Sequence, residues 1–174
     1  MKEHHLEVLL RKEQIAERVK ELAAVISRDY REKSPLLIGV LKGAVIFLSD
    51  LIRNLSIDVE LDFITASSYH KANSKGRVEL APIFSSSVRN KDILIVEDII
   101  DTGLTYQALT NYLSVREPAS LKLCTLLNKP SLRRTDFILP DYVGFTIPDL
   151  FVVGYGLDFE ERYRELQDIC VLKM

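Results

Sequence analysis

The chain has 174 residues, 47% of them hydrophobic and 28% charged, with a formal net charge of -2. That is enough chain to bury a real core, and residues 1–174 are expected to form a single domain. The near-neutral balance excludes a bulk basic surface for nucleic acid or an anionic membrane, and no stretch approaches the ~20 apolar residues of a membrane span.

The start, Met1-Lys2-Glu3-His4-His5, is charged, leads into no signal-peptide core and reads as a disordered end. Apolar residues then recur at helical spacing (Ile15, Val19, Leu22, Ala23, Ile26), which predicts an amphipathic helix over residues 12–31. Ser34-Pro35 ends it. Residues 36–41 are a buried strand, Lys42-Gly43 a turn, and a second apolar helix runs to about Arg53. A strand follows over 59–66. Residues 67–77 are polar, lack an apolar period and include Gly76, so they form a candidate mobile loop or hairpin tip, with 78–84 as the returning strand.

Next come the buried strand 93–96 and a helix over 103–115, which Glu117-Pro118 terminates. Residues 121–127 are another buried strand and 128–140 a proline-punctuated connection. The stretch 143–157 is strand-like but broken by Pro148, Gly154 and Gly156, a charged helix follows it, and 168–172 is a short last strand. Strands alternating with helices imply an α/β fold, with a mostly parallel central sheet flanked by helices on both faces. Cys124 and Cys170 sit in apolar strands without metal-ligand spacing, as expected of buried thiols in a reducing cytosol.

The most informative stretch is residues 92–105, Asp-Ile-Leu-Ile-Val-Glu-Asp-Ile-Ile-Asp-Thr-Gly-Leu-Thr. An apolar strand ends in two acids, Glu97 and Asp98. A third acid, Asp101, opens a short Thr/Gly loop at the start of a helix. In an open α/β sheet, ligands bind beyond the carboxyl ends of the strands, where this polarity lies. Carboxylates suit a sugar diol or a metal, and backbone N–H groups at a helix start suit a phosphate. A ribose phosphate carries both features. Two acids alone would read as a solvated strand end, but random loops seldom combine all the parts.

This string resembles the phosphoribosyl pyrophosphate (PRPP) signature of the type I phosphoribosyltransferases. Together with Leu41-Lys42-Gly43, Ser68-Tyr69, Lys129 and the 151–158 run Phe-Val-Val-Gly-Tyr-Gly-Leu-Asp, in this order along nearly the whole chain, it is similar to the hypoxanthine-guanine phosphoribosyltransferases. The resemblance implies the type I fold with a small hood, and a mobile loop near 67–77 carrying Ser68 and Tyr69. It also implies transfer of a 5-phosphoribosyl group from PRPP to N9 of hypoxanthine or guanine, giving IMP or GMP and pyrophosphate in purine salvage. Residues 97, 98 and 101–105 (Glu97, Asp98, Asp101, Thr102, Gly103, Leu104 and Thr105) would bind the ribose and 5′-phosphate. Leu41, Lys42, Gly43 and Arg164 would bind pyrophosphate, with a non-proline cis peptide between Leu41 and Lys42.

For the base, Lys129 would donate to the purine 6-oxo group, Phe151 would stack, Val152 would offer its backbone and Asp158 would stand close by. Asp158, with Glu97 and Asp98, would also hold Mg2+. Asp101 would either exchange the N7 proton or only orient the base. Outside the resemblance, Lys42 reads as a surface lysine, Arg164 as a helix-face charge, Lys129 as a turn residue and Phe151 as a core aromatic. The family implies a cytoplasmic homodimer or homotetramer, with no nucleic-acid or membrane partner.

Two positions depart from the family. Leu150 stands where some relatives carry a lysine or an acid, which removes a side chain from the edge of the base pocket. His70 stands where relatives often have glycine. Three rivals remain: transfer to another base, a PRPP-sensing regulator on the same fold, and a flavodoxin-like interaction domain. Lys129 speaks against the first. The lack of an added basic segment speaks against the second, and the placement of Lys42, Lys129 and Asp158 against the third.

Overall fold

The structure, a computed structural model, describes residues 5–68, 78–82, 87–132 and 139–173. Along the chain run β1 (His5–Leu10), α1 (Lys12–Asp29), β2 (Leu36–Leu41), α2 (Val45–Asn54), β3 (Glu60–Ser68), β4 (Val78–Pro82), β5 (Asp92–Ile100), α3 (Leu104–Ser114), β6 (Ser120–Asn128), β7 (Tyr142–Thr146), β8 (Val152–Val153) and β9 (Ile169–Lys173). Six strands form the main sheet in the order β4-β3-β2-β5-β6-β7, all parallel except the edge strand β4.

Because strand side chains alternate, β5 feeds two cores at once. Leu94 and Val96 pack with Ile15, Val19, Leu22 and Ile26 of α1 and with Phe47 and Leu51 of α2. Ile93 and Ile95 face the other way, onto Leu109 and Leu113 of α3. Helices therefore cover both faces, as the alternation of elements predicts. None of them is long and apolar enough to cross a membrane. Both cysteines are free and buried.

A second sheet, β1-β9-β8, is antiparallel and forms the hood. The expectation of a disordered N-terminal end needs correction here: His5 opens β1 and pairs with Lys173, although His4 lies outside the described residues. Leu6, Val8 and Leu10 alternate, but the run is short and Leu9 interrupts it, and pairing with β9 makes it a strand. Its Leu6 joins Val153, Cys170 and Leu172 in a small hood core that also takes Phe159, Tyr163 and Leu166.

The charged helix expected around Arg164 is also absent. Glu160, Glu161 and Tyr163 have φ of 51°, 62° and 76°, so the backbone turns through left-handed positions that no right-handed helix allows. A bridge between Phe159 and Arg162 closes this turn. Most of the 67–77 segment, Tyr69 and His70 included, lies outside the described residues. Its first residues are not loop, since Ser67 and Ser68 end β3, opposite Glu79 and Val78 of β4.

Candidate functional site

Strand β5 runs past its two acids to Ile100, so Glu97 and Asp98 are among its closing residues and the loop begins at Asp101. Alternation then sends the two carboxylates to opposite sides. Glu97 lies toward Tyr106 of α3, and Asp98 toward Gly43 between β2 and α2.

Asp98 points at the turn after β2. The Leu41–Lys42 peptide is cis, as the resemblance implies. Beside it, a Cβ on Gly43 would collide with Asp98 Oδ2. A Cβ on Gly156 would in turn collide with the Gly43 carbonyl oxygen. Asp98, Gly43 and Gly156 thus stack backbone to carboxylate with no room for a side chain between them. This ties the ends of β5 and β2 to the segment after β8.

That segment supplies the next group. Arg164 Nη1 donates to the Gly156 carbonyl at 2.8 Å, and Nη2 pairs with Asp158 Oδ1 at 2.9 Å. Asp158 Oδ2 accepts the backbone N–H of Glu161 at 2.9 Å. The Glu161 carboxylate reaches both Lys42 Nζ, at 3.0 Å, and Arg164 Nη2, at 3.4 Å. Lys42 and Arg164, predicted to share one ligand, therefore already share one acid.

The electrostatics follow from burial. Only 3% of Glu97 is exposed, and its Oε1 is buried without a hydrogen-bond partner. Loss of water, and then the neighbouring Asp98 and Asp101, hold its carboxyl well above the usual range. Burial pushes Asp98 up to about 6, against the N–H of Ile99 and the Arg164 guanidinium, which favour its charged form. Asp101 is exposed, and its carboxylate accepts the Thr102 N–H. Gly103 caps α3 with φ of 79° and offers no side-chain oxygen to the first-turn amides. Those N–H groups are free to face an anion. Thr102, Leu104 and Thr105 are partly buried around them.

Lys129 follows β6, and its N–H donates to the Ile100 carbonyl at 2.8 Å, so the ends of β5 and β6 are joined. The residue is 7% exposed and its ammonium donates to the Leu150 carbonyl. The residue after that carbonyl, Phe151, is 46% exposed and meets Phe159 edge-on, with ring centroids 5.6 Å apart. It is not a core aromatic. Val152 is buried in β8 opposite Val171. Ser68 is placed only through its strand backbone, and Tyr69 lies outside the described residues.

Three participants were not singled out from sequence: Glu161, Gly156 and the Leu150 carbonyl. Glu161 lies in a charged run that mimics a solvated helix. Gly156 enters only as a strand breaker and as part of the 151–158 run, with no role of its own, and a backbone carbonyl leaves no trace in composition.

Among the described residues, no three His, Cys, Asp or Glu side chains form a group that could hold a metal ion. That suits an ion such as Mg2+, which binds through one or two carboxylates and substrate phosphates rather than in an all-protein cage. The acids fit in that limited way: Asp158 pairs with Arg164, and Asp98 lies on the same side against Gly43, while Glu97 points to the other side with an unpartnered oxygen.

The acids, the cis turn and the α3 cap converge at the carboxyl ends of the parallel strands β2 and β5, and the phosphoribosyl transferase domain family matches residues 5–160. The chain belongs to the phosphoribosyl transferase family. Among its curated relatives, a hypoxanthine-guanine phosphoribosyltransferase of Bacillus subtilis is 49% identical over 99% of this chain and 97% of its own. The enzyme of the same name from Lactococcus lactis is 48% identical over 95% and 90%. A crystal structure of a hypoxanthine-guanine phosphoribosyltransferase from Bacillus anthracis superposes with a TM-score of 0.92 at 44% identity, covering 98% of this chain and all of the other.

Proposed function

We propose that this chain transfers the 5-phosphoribosyl group of PRPP to N9 of hypoxanthine or guanine, releasing IMP or GMP and pyrophosphate in purine salvage. The placement of Lys129 carries the choice of base. A buried ammonium held at the strand ends beside a half-exposed aromatic ring offers only donors. It suits a 6-oxo group and repels the amino group of adenine. The near full-length relatives named for this activity support the same reading.

Bond breaking at C1′ builds positive, oxocarbenium-like charge on the ribose. In this reading Glu97 and Asp98 accept hydrogen bonds from the ribose hydroxyls from two sides of the strand end. The loop from Asp101 to Thr105 and the capped start of α3 hold the 5′-phosphate. Lys42, the cis turn through Leu41 and Gly43, and Arg164 bind the departing pyrophosphate. Phe151 stacks on the purine, Val152 meets its edge through the backbone, and Asp101 holds or accepts the N7 proton. Asp158, with Asp98 on the same side of the site, would hold Mg2+ together with substrate phosphates, while Glu97 is left to the ribose hydroxyls; when bound, the ion neutralises part of the pyrophosphate charge. Most of the rate then comes from positioning and preorganised charge. We further propose that residues 1–174 act as one domain, in the cytoplasm, as a homodimer or homotetramer.

The test is a base panel with PRPP and magnesium, reading pyrophosphate release. Hypoxanthine or guanine should be used at least ~10²-fold better than adenine, because a site built to donate to a carbonyl leaves its ammonium unpaired against an amino group. Preference for adenine would overturn the assignment of Lys129. In the same assay Asp101→Asn should lower kcat by about 10²-fold or more while PRPP affinity changes little.

A further inference from the structure

The two cations assigned to pyrophosphate are bridged by one carboxylate oxygen. Glu161 Oε2 lies 3.0 Å from Lys42 Nζ and 3.4 Å from Arg164 Nη2. An oxygen held between an ammonium and a guanidinium imitates a phosphate oxygen in charge and in contacts. The turn is built to deliver it. Glu161 sits at φ 62°, its N–H donates to Asp158, and Asp158 is itself fixed to Arg164.

Arg164 is anchored independently by the Gly156 carbonyl, so the guanidinium does not need Glu161 for its position. Lys42 and Glu161 are 66% and 65% exposed at their side chains. A pair so open to water is worth little and exchanges readily for a stronger anion. The cations also keep the Glu161 carboxyl below its ordinary range, Lys42 foremost.

We propose that Glu161 is a built-in competitor for the pyrophosphate subsite. Its carboxylate holds Lys42 and Arg164 together in the free chain, yields to the pyrophosphate of PRPP on binding, and returns to help expel the product. Glu161 is thus a positioning residue that acts through two cations and touches no reacting atom. The inference rests on the reading that Lys42 and Arg164 bind pyrophosphate.

Binding of inorganic pyrophosphate with magnesium, followed by calorimetry at fixed ionic strength, tests it. Glu161→Gln should bind pyrophosphate roughly two- to fivefold tighter than the parent, since a weak exposed pair no longer competes. Product release should slow, so that kcat falls together with the KM for PRPP. Most of the gain should vanish in a Lys42→Ala background. Glu160→Gln removes the same charge one residue away and should change affinity by less than about twofold, because exposed charges are screened. Unchanged or weaker binding by Glu161→Gln, or equal tightening by Glu160→Gln, overturns the proposal while Lys42→Ala still weakens binding. If Lys42→Ala leaves the affinity untouched, the pyrophosphate reading itself falls, and the competitor with it.

Discussion

Asp98 shows how burial and binding are set against each other at a single side chain. Its folded carboxyl titrates near 6, above the ordinary value of about 4, chiefly because it has lost water. The native state therefore holds a proton that the unfolded chain has already released. This contribution to stability is full below about pH 4 and is lost as pH rises through about 6. Glu97, also raised by burial, acts in the same direction. At neutral pH the free enzyme thus carries charge it would rather shed, and the hydroxyls of a bound ribose would supply the missing donors. Asp98→Asn should melt about 3–6 °C higher than the parent at pH 7.5 and at the same temperature near pH 4. Its KM for PRPP should rise, and it should lose any dependence of that KM on pH around 6. If Asp98→Asn instead proves less stable than the parent at pH 7.5, the carboxylate is a net stabiliser.

At the scale of elements, the hood matters most. The turn from Asp158 to Arg164 contains no helix or strand to hold its shape. What holds it is hood packing: Phe159, Tyr163 and Leu166 lie against Val153, Cys170 and Leu172. Leu172 is 4% exposed, and its N–H donates to the Phe151 carbonyl at 2.9 Å. One β9 residue therefore supports both the Phe151 backbone and the turn bearing Arg164. Leu172→Ala should cost about 2–4 kcal/mol of stability in a denaturant titration. It should raise KM for the purine and for PRPP together, because both contacts hang from the same sheet. A stability loss with both KM values unchanged would mean that the turn keeps its form without the hood.

For the molecule as a whole, the main sheet separates two cores that meet through β5, and the two thiols report on the fold from different places. Cys124 lies in the larger core and Cys170 in the hood. Burial pushes both thiols up, so little reactive thiolate is present near neutral pH. A thiol reagent should label neither in the native protein. Both should react together as denaturant unfolds the chain if hood and sheet unfold as one unit. Early labelling of Cys170 alone would show that the hood opens on its own.

Much of this was legible in the chain itself. The period of Ile15 to Ile26, the apolar runs of β2, β5 and β6, and the acid-acid-x-x-Asp-Thr-Gly-x-Thr string are local signals. Spacing and side-chain chemistry over about ten residues decide them. So the alternation of strands and helices, the acids at the end of β5 and the Thr/Gly turn before α3 could all be placed from sequence. What it could not decide was every feature set by a distant partner. β1 is a strand only because β9 pairs with it. The 158–164 segment is a turn because the hood and Gly156 hold it there against its helical composition. Glu161 faces Lys42 only once the folded chain brings residues 119 positions apart to one place. Long-range pairing has no period to read, since its energy exists only after the chain has closed the loop between the partners.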